Sequence, residues 1–128
     1  MAPLRIGALA RASGASAKAL RLYESLGLLP APRRQGRYRV YEDEHLQAVL
    51  MIREAQALGF RLRELQQLAG PGPLTQALPL ERALAAVRAK REQLAQEQAR
   101  LAEQAGRLAR FEAQLRAGYQ QACECPAG

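Results

Sequence analysis

The second half of the chain carries an unbroken heptad ladder of aliphatic residues. Leucine or valine stands at every seventh position, at Leu80, Val87, Leu94, Leu101, Leu108 and Leu115. The intervening seam positions are half polar, at Leu84, Arg91, Gln98, Ala105 and Glu112. This pattern predicts a helix over residues 80–117, about 57 Å long, that forms a two-helix coiled coil. A lone helix would expose a leucine stripe to water, so we expect a second copy of the chain to cover it.

The dimerisation residues predicted from this pattern are the ladder and one seam leucine. They are Leu80, Leu84, Val87, Leu94, Leu101, Leu108 and Leu115.

The start of the chain has the pattern of two short helices joined by a tight turn. Apolar spacing predicts a first helix over residues 6–13, and Gly14 permits the turn because it tolerates a positive φ. Ser16 is a typical N-cap for a second helix that ends near Ser25. The outward face of that helix carries Lys18, Arg21 and Ser25. This order predicts a helix-turn-helix.

A short basic hairpin follows over residues 33–41. Gly36 is its expected tip, and the flanking residues alternate in the period-two pattern of a strand. Further helices are predicted over residues 43–58 and 61–69, with Gly59 between them. A helix-turn-helix with a basic ribbon beside it suits a DNA-binding protein, because a helix can enter the major groove while the ribbon contacts phosphates.

The predicted domain organisation has four parts. Residues 1–70 form the winged helix-turn-helix domain, and the Gly-Pro-Gly-Pro stretch makes residues 71–79 a linker. Residues 80–117 form the coiled-coil helix. Residues 118–128 form a C-terminal tail that contains Cys123 and Cys125.

The charge distribution favours a polyanionic partner. The chain has a net charge of +7. Residues 18–39 hold six cations against Glu24 alone, whereas residues 71–128 are nearly balanced. Clustered cations bind nucleic acid by releasing the counterions of its phosphates.

Other classes of protein find little support in the sequence. No stretch approaches the ~18 apolar residues of a membrane span. There is no glycine-rich phosphate loop, histidine–cysteine pair or acidic cluster, so an enzyme is not expected. Cys123 and Cys125 are spaced poorly for a structural disulfide, which favours a reducing, cytoplasmic setting.

Several segments together resemble the MerR family of bacterial transcription regulators. They are Ile6 to Ala10, Lys18 to Glu24, Gly27 to Pro30, Tyr38 to Tyr41 and Leu58 to Phe60. The resemblance implies a mainly α fold: a winged helix-turn-helix domain with a small β wing, followed by a long antiparallel coiled-coil dimerisation helix. It implies a homodimer that binds a palindrome in double-stranded promoter DNA and distorts it, so that RNA polymerase with its sigma factor can engage. The chain is similar to short members without a large effector domain.

Candidate DNA contacts follow from this resemblance. Lys18 and Arg21 would lie on the recognition helix, and Tyr23 would either anchor near the phosphates or belong to the core. The wing would contribute Arg33, Arg34, Arg37, Tyr38 and Arg39. Leu22 and Tyr41 are expected in the core, His45 at the surface or as a helix cap, and Arg53 as an exposed arginine that could touch phosphates.

Three roles are open for the tail. It could be functionally idle, hold a soft ion such as copper(I) or mercury(II) between Cys123 and Cys125, or act as a thiol redox switch. An iron–sulfur cluster would need four cysteines, and the chain has two. Gly118 could bend the end of the long helix.

An alternative function of a different kind stays open. A basic architectural protein would bend or bridge DNA without an inducer and without sequence preference. Only a regulator would lose a specific palindrome when a base-reading residue such as Arg21 is replaced.

Overall fold

A computed structural model describes residues 4–74 and 78–124 of the chain, without the side chains of residues 123 and 124. In chain order its elements are α1 (Ile6–Ser13), α2 (Ala17–Ser25), β1 (Arg33–Gln35), β2 (Tyr38–Val40), α3 (Asp43–Ala57), α4 (Leu62–Ala69) and α5 (Leu80–Glu124). They fall into two compact units, Met1–Arg88 and Ala89–Gly128. The predicted mainly helical fold with a small two-stranded wing is confirmed.

The core of the first unit lies where the helices of its helix-turn-helix meet α3. Leu9 of α1, Leu20 of α2 and Ile52 of α3 are completely buried. Each such side chain contributes about 1.5–3 kcal/mol relative to an exposed position. This burial fixes the side of α2 that faces inward, and therefore the side that is left for a ligand.

Local chemistry sets the two helix ends that the sequence predicted. Gly14 follows α1 with φ 78°, and its N–H donates to the Ala10 carbonyl. The Ser16 hydroxyl then accepts the N–H of Ala19 at 3.0 Å, as an N-cap should. α1 and α2 consequently begin and end as expected.

His45 caps α3, which is one of the two roles expected for it, and it does not lie at the surface. It is 2 % exposed and packs edge-on against Tyr41, with ring centroids 5.3 Å apart. Its Nδ1 accepts the N–H of Glu42 at 2.9 Å, so its Nε2 carries the proton and donates to the Pro30 carbonyl at 3.1 Å. Both nitrogens are satisfied, which is why the ring can be buried without cost from an unpaired polar atom.

Leu22 was assigned to the core, and this was wrong, because its side chain is 46 % exposed. It lies two residues after the fully buried Leu20, about 200° around α2 at 100° per residue, so it points away from the core. Tyr41, by contrast, is 1 % exposed, as predicted.

The segment predicted as a linker contributes to the core. Leu74 is 2 % exposed, and its N–H donates to the Leu28 carbonyl at 2.9 Å. Gly70 precedes it with φ 71°, a backbone turn that glycine adopts readily. The division of the chain at residues 70–79 stays a prediction.

The long helix extends seven residues beyond its predicted end at residue 117, to Glu124. Gly118 does not end it, and the tail predicted from residue 118 is helical as far as residue 124. One glycine within a helix costs only about 1 kcal/mol relative to alanine. The neighbouring residues Ala117, Tyr119, Gln120, Gln121 and Ala122 all continue the helix.

Candidate nucleic-acid interface

The turn of the helix-turn-helix is held from α3. The Ala15 N–H donates to the Ser13 hydroxyl at 3.2 Å, and Arg53 Nη1 donates to the Gly14 carbonyl at 2.5 Å. Arg53 therefore links the turn between α1 and α2 to α3. The sequence suggested only an exposed arginine here, because a contact across 39 residues leaves no local signal.

Tyr23 lies in the core beneath the exposed face of α2. It is 5 % exposed, and its hydroxyl donates to Gln56 Oε1 at 2.8 Å. This position agrees with the core alternative. A phosphate contact by Tyr23 stays a prediction.

The wing is a two-stranded antiparallel hairpin. Arg33 pairs with Val40, Arg34 with Arg39, and Gln35 with Tyr38. Gly36 lies at the tip with φ 62°, as predicted. Beyond β2, Tyr41 exchanges two backbone hydrogen bonds with Leu4, which attaches the hairpin to the start of the chain.

Glu24 joins the wing to α2. Its Oε2 accepts Arg39 Nη1 at 3.3 Å and the Tyr41 hydroxyl at 3.1 Å. Burial raises the pKa of Tyr41, and the charge and hydrogen bond of Glu24 raise it further, so the hydroxyl stays protonated and donates. α2 and the hairpin are thereby held together by one carboxylate.

Two of the predicted wing cations are already paired with acids. Arg39 forms the ion pair with Glu24, and Arg33 Nε lies 3.1 Å from Glu42 Oε1. The Arg33 side chain is 79 % exposed, so water screens that pair and the arginine can exchange it for a phosphate at small cost.

A cleft between α1, α2 and the wing is lined mainly by arginine side chains. It encloses about 810 Å³ and is lined by Arg5, Arg11, Arg21, Arg34, Arg37 and Arg39, with Tyr38 and the apolar start of α1 between them. Within the described part of the chain only Arg39 of these six forms an ion pair. Unneutralised guanidinium groups around one concave surface create a positive potential that would attract an anion.

The sequence found part of this cleft. It predicted Arg21, Arg34, Arg37, Tyr38 and Arg39, all of which line it. Lys18 and Arg33 are exposed but lie outside its lining. Arg5 and Arg11 were missed, because they lie before residues 18–39, the segment in which the cations cluster along the sequence.

The second unit offers an apolar surface. Its described side chains from residue 89 to 122 include none that is buried. Leu94, Leu101, Leu108 and Leu115 are 47–61 % exposed. Phe111 and Tyr119, which the sequence analysis did not single out, follow Leu108 by three residues and Leu115 by four, so they extend the same face.

Of the predicted metal ligands, Cys125 and the side chain of Cys123 lie outside the described residues. Elsewhere in the described chain no group of three or more histidine, cysteine, aspartate or glutamate side chains could hold a metal ion. None of the described helices combines the length and the apolar character that a membrane span needs.

Residues 4–70 match the family model of the MerR HTH family regulatory proteins. The chain belongs to the MerR family. A relative within the family is a ZntR homolog, an HTH-type transcriptional regulator of Haemophilus influenzae, which is 41% identical over 66 residues. That alignment covers 51% of this chain and 49% of the relative, so the chain spans about half the length of the curated relative it matches.

Two solved structures of transcription regulators have a similar fold along most of the chain. PbrR691 from Ralstonia metallidurans CH34, in complex with lead(II), is 28% identical with a TM-score of 0.57, and the match covers 98% of this chain and 89% of that one. HiNmlR, a MerR family regulator lacking the sensor domain and bound to promoter DNA, is 25% identical with a TM-score of 0.56. That match covers 94% and 93% of the two chains.

Proposed function

We propose that this MerR-family chain is a sequence-specific DNA-binding transcription regulator. The arginine cleft between α1, α2 and the wing is the observation that carries the proposal. Five of its six arginines have no acidic partner among the described residues, and it lies beside the exposed face of a helix-turn-helix. The structural similarity to HiNmlR, which was solved on promoter DNA, supports it.

The proposed contacts divide between base reading and positioning. Lys18 and Arg21 lie on the exposed face of α2, where side chains can reach base edges in the major groove. Arg34 and Arg37 lie on the wing, where contacts to phosphates set the register without reading sequence. Arg33 and Arg39 would also contact phosphates, either by leaving their acidic partners Glu42 and Glu24 or by binding the carboxylate and a phosphate at once.

The functional protein is proposed to be a homodimer formed by α5. Its ladder from Leu80 to Leu115 needs a partner surface, and a second copy of the same helix supplies one of equal length and pattern. The linker at residues 71–79 and the antiparallel pairing are parts of this proposal. A two-fold dimer would place two α2 helices on the two halves of a palindrome.

Activation is proposed to work by DNA distortion. A dimer that underwinds and bends the spacer between two promoter elements would let RNA polymerase with its sigma factor engage both. The deformation energy depends on the spacer sequence, so the spacer contributes to specificity without being contacted. MerR-family membership supports this mechanism.

The test is selection of bound duplexes from a random library, followed by binding of the winning sequence. A regulator should select a short palindrome, and Arg21→Ala should weaken it by about 1–3 kcal/mol while relaxing the sequence preference. Arg110→Ala is the matched control, since Arg110 lies about 200° around α5 from Leu108 and outside the cleft.

Selection of no sequence, with binding that depends only on salt, would instead favour the architectural protein. Loss of binding equal for Arg21→Ala and Arg110→Ala would contradict the assignment of α2 as the recognition helix.

We further propose that Cys123 and Cys125 bind a soft metal ion such as copper(I) or mercury(II) as the inducer. The support is the Cys-x-Cys spacing and the lead(II) complex of the related PbrR691. Reduced protein titrated with copper(I), silver(I), mercury(II) and zinc(II) should bind about one soft ion per chain, and Cys123→Ser/Cys125→Ser should bind none. Equal binding by both proteins would show that the cysteines are not the ligands. If neither protein bound an ion, the regulator would respond to a signal other than these metals.

A further inference from the structure

Arg5 is stacked on the ring of Tyr38. The guanidinium carbon lies 3.8 Å from the ring centroid, in the geometry of a cation–π contact. Arg5 is the N-cap residue of α1 and Tyr38 begins β2, so the contact joins the first helix to the wing. Tyr38 is 53 % exposed, so the pair lies at the surface of the cleft.

This contact leaves N–H donors of the Arg5 guanidinium available. A guanidinium that lies on an aromatic ring uses one planar face, whereas its five N–H donors point outward in the plane. Within the described chain Arg5 has no acidic partner, and the Tyr38 hydroxyl forms no hydrogen bond. Arg11 and Arg37 line the same cleft.

We propose that Arg5 contacts a DNA phosphate in the cleft, and that Tyr38 is a positioning residue that holds it there. The ring of Tyr38 is then the functional part, and its hydroxyl is not needed. This inference rests on the proposed function, since it takes DNA as the polyanion. It assigns a role to Arg5 and replaces the direct phosphate contact first expected of Tyr38.

Substitutions at the two positions separate these roles. Tyr38→Phe keeps the ring and should bind the selected operator as the wild type does. Tyr38→Leu removes the platform and should weaken binding about 2- to 5-fold per copy, the effect of an exposed cation–π contact. Arg5→Ala should weaken binding at least as much, and Arg5→Ala/Tyr38→Leu should be no weaker than Arg5→Ala, because the two residues act as one unit.

The salt dependence of binding tests the phosphate contact itself. With the full-length chain and a fluorescent operator duplex, anisotropy titrations at several salt concentrations give the slope of log K against log salt. Arg5→Ala should reduce the steepness by about 1 per copy, or about 2 for a dimer. Arg110→Ala is again the control and should leave the slope unchanged. Circular dichroism of each variant checks that it is folded.

Three results would overturn the inference while leaving the proposed function intact. Tyr38→Phe could bind as weakly as Tyr38→Leu, which would make the hydroxyl the contact. Arg5→Ala could keep the wild-type salt slope, which would remove Arg5 from the phosphates. The losses of binding free energy in the two single variants could add up in the double variant, which would show that Arg5 and Tyr38 act independently. A wild-type chain that selected and bound no duplex would overturn the inference and the proposed function together.

Discussion

The two compact units use leucine in opposite ways. In the first unit Leu20 of α2 is 0 % exposed, because other helices of the same chain cover it. In the second unit Leu101 of α5 is 51 % exposed, and no described residue from 89 to 122 is buried. Regular spacing on a helix therefore predicts an apolar face without telling whether its partner lies in the same chain. The first unit contains its own core, whereas the described part of the second leaves its leucines exposed.

Among substitutions that test this difference between the units, Leu94→Glu/Leu101→Glu is expected to have the largest effect, on both oligomeric state and operator binding. A dimer would bury four leucines at these positions, each worth about 1.5–3 kcal/mol, so the charged variant should be monomeric and lose operator binding. Light scattering after size exclusion measures the mass, and anisotropy measures the binding.

Gln96→Glu/Ala99→Glu is the matched control, since it adds the same charge at positions away from the ladder. It should remain dimeric. A dimeric Leu94→Glu/Leu101→Glu variant would show that the ladder is not the interface.

A smaller effect should distinguish the two units directly when leucine is replaced by alanine in each. Leu20→Ala should lower the free energy of unfolding of the first unit by about 2–5 kcal/mol at any protein concentration. Leu101→Ala should leave that transition unchanged. It should destabilise only the unfolding transition of α5, which depends on protein concentration if the helix is dimeric. Denaturant titrations followed by circular dichroism at two concentrations measure both. Equal, concentration-independent losses would mean that α5 has a partner within its own chain.

The smallest effect is expected at the cap of α2. Ser16→Ala removes the acceptor of the Ala19 N–H and should cost about 1 kcal/mol, whereas Ser16→Gly should cost only a few tenths. Thermal unfolding of the three proteins gives the order. If Ser16→Gly were the less stable of the two, backbone freedom and not capping would dominate at this position.

The parts of the fold that depend on neighbours in sequence could be predicted. Gly14 and Ser16 fix the helix-turn-helix turn, and Gly36 fixes the wing tip, because turn and cap chemistry acts within a few residues. The same locality explains why Arg34 and Arg37 were recognised as part of a basic hairpin.

The parts that depend on distant residues could not be predicted. Glu24 holds Arg39 and Tyr41, 15 and 17 residues away, and Arg53 reaches Gly14 across 39 residues. Arg5 was missed for the same reason, since only the folded hairpin brings the Tyr38 ring beneath it. Sequence pattern found the arginines of the wing, and the tertiary structure showed which of them already have acidic partners.

The placement of Leu74 has a practical consequence for dissecting this protein. A fragment that ends at Gly70 would stop just after α4, where the Gly-Pro-rich stretch begins. It would lack Leu74, which is buried in the core and whose N–H donates to the Leu28 carbonyl. The fragment would expose an apolar hole and be prone to aggregate, even though every helix of the DNA-binding region was present. An isolated DNA-binding domain should therefore be cut beyond Leu78, which also packs against that core.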